Sequence, residues 1–321
     1  MLSLDRLLQR IRLSNARDIR RAIRFMAAIL VISVTLFGGY YYWDRYIHPG
    51  DKSPLELDIE RMEQAVSENP GDPQARIVLA EYYMRKGKYS EALDQTSQVL
   101  NLYPEHEAAL LISGVTCVHM EQPEASLDSL EKFIELRKDK PSAGIDTTLE
   151  TAYYFLGESY VKLNRPTEAI SALEAALTIN PTDADALYQL GLAYQANGQP
   201  ELALEHYHQA VRFVPNFVEV YNGMIESYSS LEQPDYVVYA SGMQALCLQD
   251  YKTSQIYLDL ATQALPDFAP AFLGLGLAHE KAGNLQMALV AIQQALELDP
   301  SDYAAQHAHG RIQTTLNSQD Q

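Results

Sequence analysis

Few side chains in this chain of 321 residues stand at spacings that perform covalent chemistry. His206 and His208, like His307 and His309, lie two apart on predicted helices. They therefore point to different faces and cannot form the i, i+4 pair of a helical metal site. Ser-x-x-Lys occurs twice, as Ser129 with Lys132 and Ser159 with Lys162, but the companion Ser-Asp-Asn and Lys-Thr-Gly motifs are absent. There is no Gly-rich phosphate loop, no Gly-x-Ser-x-Gly and no Cys-x-x-Cys. Cys117 and Cys247 fall inside predicted helices far apart in the chain, and they read as small buried apolar residues rather than a disulfide. The expectation is a protein that is not an enzyme, with no catalytic residue, no metal and no cofactor. The chemistry left to it is recognition.

The elements that would present a recognition surface are helices in pairs. In residues 184–217, Leu187, Leu190, Gly191 and Tyr194 share one face of a first helix that ends at Gly198. Ala203, Tyr207 and Ala210 share one face of a second helix that Pro215 stops. Gly191 and Ala203 let the two helices approach closely, while Leu187, Tyr194 and Tyr207 fill the space around them. This order of Leu, Gly, Tyr, Ala, aromatic, Ala and Pro over about 34 residues resembles the tetratricopeptide repeat, TPR.

The same frame lies along most of the chain. Residues 73–106 carry Leu79, Ala80, Tyr83, Gly87, Tyr89, Ala92 and Pro104, and residues 150–183 carry Leu156, Gly157, Tyr160, Ala169, Leu173, Ala176 and Pro181. Residues 269–302 carry Phe272, Leu275, Gly276, Gly283, Ala288, Ile292, Ala295 and Pro300. Residues 107–140 are a weaker copy, and 235–268 a degenerate one that keeps Gly242, Tyr251, Ala261 and Pro266. Between them the frame slips: residues 218–231 read as one helix whose partner is missing or borrowed. The resemblance implies an all-α, right-handed superhelical solenoid over residues 55–317, with six full repeats, one half-repeat, and lone capping helices at 55–69 and 303–317. Residues 318–321 are expected to be a disordered tail.

In TPR proteins the first helix of each pair lines a concave groove. Carried over by frame, the groove positions are Tyr154, Glu158, Tyr188, Leu192, Gln195, Tyr239, Met243, Leu273 and Leu277, with Val115, His119, Lys162 and Glu226 among their neighbours. The family's carboxylate-clamping members place Lys and Asn at two positions of the first repeat that are Ile77 and Glu81 here, so a carboxylate clamp is not expected. The tyrosines, aliphatic residues and scattered acids suit a peptide or helix with apolar anchors and some positive charge.

The N-terminus is of another kind. Residues 1–24 hold seven arginines, at 6, 10, 12, 17, 20, 21 and 24, against Asp5 and Asp18. Leu4, Leu7, Leu8 and Ile11 share one helical face, which makes this a basic amphipathic segment suited to an anionic lipid surface. Residues 25–43 carry no charge, are about long enough to span a bilayer, and end in Tyr40, Tyr41, Tyr42 and Trp43. They are read as one N-terminal transmembrane helix, joined to the solenoid by a linker at 44–54. The positive-inside rule then places the N-terminus in the cytoplasm and the solenoid outside it, in the periplasm of a bacterial inner membrane.

Charge divides the same way. Residues 1–50 carry eight arginines and three aspartates, whereas the whole chain carries 24 basic and 42 acidic residues. The outer part is therefore strongly acidic, which argues against nucleic acid as a partner. A basic run at 137–146 is an exception, either a simple insertion or a small contact site. The functional expectation is a membrane-anchored adaptor or scaffold that binds other proteins during envelope protein biogenesis or complex assembly. The alternatives are a constitutive subunit of a membrane complex and an organellar import-type receptor.

Overall fold

The computed structural model describes residues 16–42 and 53–319, except for the side chains of residues 16–25 and of Gln319. Most of the basic segment at 1–24, most of the linker at 44–54 and the last two residues of the expected tail lie outside the described residues. The sixteen α-helices among the described residues fall in two compact units, Met1–Ser67 and Glu68–Gln321.

The first unit holds α1 (Ala16–Tyr42) and all but the last residue of α2 (Pro54–Glu68). Along α1, residues 26–42 are exposed without interruption. Among the described residues no helix is long and apolar enough to cross a membrane. The span expected at 25–43 also takes in Trp43 and the side chain of Phe25, which lie outside them. Helix α2 opens on a reciprocal cap: the Ser53 amide donates to Glu56 Oε2 at 2.9 Å and the Glu56 amide to Ser53 Oγ at 3.3 Å.

The second unit is an array of antiparallel helices: α3 (Pro73–Arg85), α4 (Tyr89–Leu102), α5 (Glu107–His119), α6 (Pro123–Arg137), α7 (Thr147–Lys162), α8 (Pro166–Ile179), α9 (Ala184–Ala196), α10 (Pro200–Phe213), α11 (Val218–Ser230), α12 (Pro234–Cys247), α13 (Tyr251–Ala264), α14 (Ala269–Lys281), α15 (Leu285–Leu298) and α16 (Tyr303–Gln319). Helix α16 runs through Ser318 and Gln319, so helix continues into the segment expected as tail.

Local chemistry sets the ends. Asp72, Asp146 and Asp183 each accept backbone N–H groups at the start of a first helix, which satisfies donors that the first turn leaves open. Proline occupies the first turn of α6, α8, α10 and α12, where its missing N–H costs nothing. Seven tight turns between consecutive helices each hold one residue at positive φ: Gly87, Glu121, Asn164, Gly198, Glu232, Gln249 and Gly283.

On α5, α7, α9, α12 and α14 a glycine meets a large side chain sixteen residues on. A Cβ on Gly114 would lie 2.5 Å from Leu130, on Gly157 2.4 Å from Leu173, on Gly191 2.3 Å from Tyr207, on Gly242 2.7 Å from Leu258 and on Gly276 2.6 Å from Ile292. These facing side chains are almost wholly buried; burying each stabilises the fold by about 1.5–3 kcal/mol.

The frame slip is resolved by the same two markers. Helix α12 is entered through a turn with Glu232 at positive φ and left through one with Gln249 at positive φ, so it has hairpin turns at both ends. Its Gly242 meets Leu258, which makes it the first helix of the pair with α13. Gly223 of α11 instead meets Tyr207, the side chain already held by Gly191. Helix α11 thus packs on α12, into which it turns, while its glycine borrows Tyr207 from α10; α12 serves both α11 and α13.

The basic run at 137–146 is an insertion that neutralises itself. Arg137 bridges Glu107 and Asp146, both at 2.6 Å, Lys140 reaches Glu107 at 2.5 Å, and Lys138 reaches Glu135 at 2.7 Å. The hydrogen bond from Lys140 holds the Glu107 carboxyl below its ordinary range. Its charge is committed within the array, which favours the insertion over a contact site.

Candidate protein-binding groove

The face at issue is the one presented by the first helices α3, α5, α7, α9 and α11 and, beyond the slip, α12 and α14. The residues expected to line it separate into three sets.

Tyr154 and Glu158 open onto a cavity of about 530 Å³ between α5, α7 and the start of α9. Val118, His119 and Glu121 form one side; Phe155 and Lys162 join Tyr154 and Glu158 on α7; Asp183 and Asp185 close the far side. An aromatic row runs beneath: Tyr89 stacks on His119 at 5.5 Å, His119 meets Phe155 edge-on at 5.6 Å, and Phe155 meets Tyr154 edge-on at 5.0 Å. Lys162 pairs with Glu158 at 2.8 Å. Burial raises the Asp185 carboxyl above its ordinary value, and Asp183 and Glu158 push it further. Burial also raises the Tyr154 phenol, with Glu158 and Asp185 adding to it. Behind the cavity Glu150, 9% exposed, sits beside Asp183. Burial first, and Asp183 second, hold its carboxyl up at about 7.

The middle set is committed to structure. Gln195 donates to Glu226 at 2.6 Å and accepts from the Tyr207 hydroxyl at 3.1 Å and the Ser227 hydroxyl at 3.2 Å. Its amide joins repeats and is not left for a partner. Tyr188 is half-buried against Phe217 at 5.2 Å and Tyr207 at 6.1 Å, and Leu192 packs on the same core.

The third set departs from the expected groove. Tyr239 and Met243 are 4% and 8% exposed. Transferring positions by frame assumes a first helix with one free face, but α12 has α11 on one side and α13 on the other. Tyr239 stands edge-on to Phe268 at 4.9 Å, and a Cβ on Gly274 would meet Met243 Sδ at 2.6 Å. Met243 and Leu277 do reach the rim of a second cavity of about 380 Å³, which Leu246, Cys247 and Lys281 also line. Leu273 packs partly buried on the core of α15 and α16.

The residues missed by frame transfer are Phe155, Glu121, Asp183 and Asp185. Asp183 carried a signal, because an aspartate just before a helix is a cap and so stands at the mouth of the groove. The histidines at 206 and 208 turn to different neighbours: His206 stacks on Tyr194 at 5.3 Å and His208 meets the Tyr228 hydroxyl at 2.9 Å. Among the described residues no cluster of His, Cys, Asp and Glu could hold a metal ion.

The tetratricopeptide repeat model matches residues 184–217 and 269–302, the same bounds as two of the frames, and a TPR repeat model matches 157–198. A model for subunit 3 of the anaphase-promoting complex, or cyclosome, matches 59–133. The chain is a TPR repeat protein, and such arrays are protein-binding scaffolds. It is 26% identical over 204 residues to a kinesin light chain-related protein 3 of Arabidopsis thaliana, covering 56% of this chain and 31% of that one. It is 22% identical over 236 residues to anaphase-promoting complex subunit 3 of Schizosaccharomyces pombe, covering 74% and 32%. The chain thus spans about a third of the length of these relatives. A solved structure of MamA is 28% identical, covering 54% of this chain and 95% of that one, with a TM-score of 0.47.

Proposed function

We propose that this chain is a membrane-anchored adaptor that holds segments of other proteins along its first-helix face, outside the cytoplasm of a bacterial cell. The observation that carries the anchor is α1: residues 26–42 are helical, uncharged and exposed throughout. A helix that turns Ile29, Leu30, Val31, Leu36 and Phe37 outward at once has no polar face for water. Lipid or a partner helix is the medium that fits it. The arginines that precede it in sequence support an N-terminus in the cytoplasm. Groove binding is supported by the cavity between α5, α7 and α9, which collects aromatic and acidic side chains on that face.

The test combines topology with capture in native membranes. The chain should resist alkaline carbonate extraction, and protease added to spheroplasts should cleave the helical array. A photoreactive residue at Lys162, in the groove, should capture one dominant partner that the same residue at Glu205, on a second helix, does not. Release by carbonate, or protection of an array that is cleavable after lysis, would sink the anchored, outward reading. Equal capture at both positions would sink the groove.

A second reading, as a permanent subunit of a membrane complex, is favoured by the opposite side. Ile256 and Leu260 of α13 and Met287 and Val290 of α15 are exposed, and a cavity of about 370 Å³ lies beside Met287, Val290 and Phe272. Capture at Val290 and not at Lys162 would select it.

A further inference from the structure

The cavity between α5, α7 and α9 carries a deeper assignment, which rests on the groove reading. It combines three independent properties. It is large enough, at about 530 Å³, to take a long side chain with the backbone on either side of it. Its floor is aromatic, with the rings of His119, Phe155 and Tyr154 in one contiguous row. Its rim sets four carboxylates, Glu121, Glu158, Asp183 and Asp185, against one ammonium, that of Lys162. Lys162 is taken up by Glu158, and the side chain of Asp183 by the first amides of α9. Glu121 and Asp185 remain, and both are exposed.

Like charges gathered beside the rings with one ammonium among them raise the energy of the empty site by their mutual repulsion. A cation seated over the rings would relieve that repulsion and gain an attraction to the aromatic faces. A neutral or anionic side chain would do neither. We propose that this cavity is an anchor site for a cationic side chain, arginine above all, on an extended segment of a partner protein. Arginine fits better than lysine because its planar guanidinium stacks on a ring and donates from its edge to two carboxylates at once. The second cavity, lined by Met243, Leu246, Cys247 and Leu277 with a lysine, Lys281, at its rim, offers no such complement. The assignment therefore gives the groove a polarity, with a cationic anchor at the α5–α9 end.

The test uses the full chain in detergent micelles and two randomised nonapeptide libraries. One has arginine fixed at the central position; the other has citrulline, which keeps the shape and removes the charge. Selected peptides are measured by fluorescence anisotropy at low and moderate salt. The expected result is at least tenfold tighter binding of the arginine peptides than of their citrulline counterparts. That ratio should fall with added salt and collapse toward one in the Glu158→Gln/Asp185→Asn variant, whose thermal unfolding serves as the folding control. Should that variant not fold, Glu121→Gln, at an exposed turn, should lower the ratio alone. Equal affinity of arginine and citrulline peptides, with both blocking photo-capture at Lys162, would overturn the cationic site and leave the groove standing. Failure of every library peptide to bind would overturn both.

Discussion

The repeat at residues 184–217 and the three helices α11–α13 are built from the same parts and come out differently. In the first, one turn and one glycine contact describe the same pair: α9 turns at Gly198 into α10, and Gly191 receives Tyr207. Across α11–α13 the two markers separate. The turn at Glu232 joins α11 to α12, yet the glycine of α11 faces back to Tyr207, and the glycine of α12 faces forward to Leu258. A turn fixes which helices are consecutive. The contact between a glycine and a large side chain fixes which side chain a helix admits, and that side chain need not lie on the helix it turns into. In a regular repeat the two cannot be told apart.

The largest expected effect tests the contact. Gly191→Ala places a Cβ 2.3 Å from a Tyr207 ring whose far edge already lies against Gly223, close enough that a Cβ there would come within 2.5 Å, so the ring has little room to swing away. The loss should be about 3 kcal/mol by denaturant unfolding. Gly157→Ala places a Cβ 2.4 Å from Leu173 Cγ, but among the described residues no second glycine closes on that side chain, so it should cost less, about 1–2 kcal/mol. Equal losses would mean that Tyr207 is not pinned by two helices.

A smaller effect separates the two regions by pH. Glu150 belongs to the regular part, and burial with Asp183 holds its carboxyl up at about 7 against an ordinary 4.5. Between those values the folded chain keeps a proton that the unfolded chain has released. Its contribution to stability is complete below pH 4.5 and is lost as pH rises through about 7. Glu150→Gln should therefore raise the melting temperature at pH 8 by a few degrees and leave it nearly unchanged at pH 4. An equal shift at both pH values would show that the substitution acts through packing alone.

The smallest effect tests the turns. Glu232 and Gln249, at φ 55° and 62°, occupy a region that costs a residue with a Cβ about 1–2 kcal/mol. Glu232→Gly and Gln249→Gly should each stabilise the chain by about 1 kcal/mol or less, to similar degrees. Gain at one turn only would show that α12 is entered and left in different ways.

Much of this was legible in the sequence because glycine, proline and capping residues act locally. Gly198, Pro215 and the alanines at 203 and 210 fixed the bounds of 184–217 without knowledge of any neighbour. The slip was visible as leftover residues. The burial of Tyr239 and Met243 was not, because it depends on which helices flank α12 and not on any residue within it. The acidic rim of the cavity was missed for a related reason. Asp183 closes one repeat and Asp185 opens the next, and both come to face Glu158 only when the first helices of the two repeats pack side by side, a relation that spacing within one 34-residue frame does not give.

The doubly turned helix α12 also fixes a parity. Up to α11 the first-helix face is presented by odd-numbered helices, and from α12 onward by even-numbered ones. Gain or loss of a whole hairpin on either side leaves that assignment intact. Gain or loss of a single helix would exchange face and back for everything beyond it, so hairpins are the units in which this array can lengthen or shorten and keep one continuous binding face.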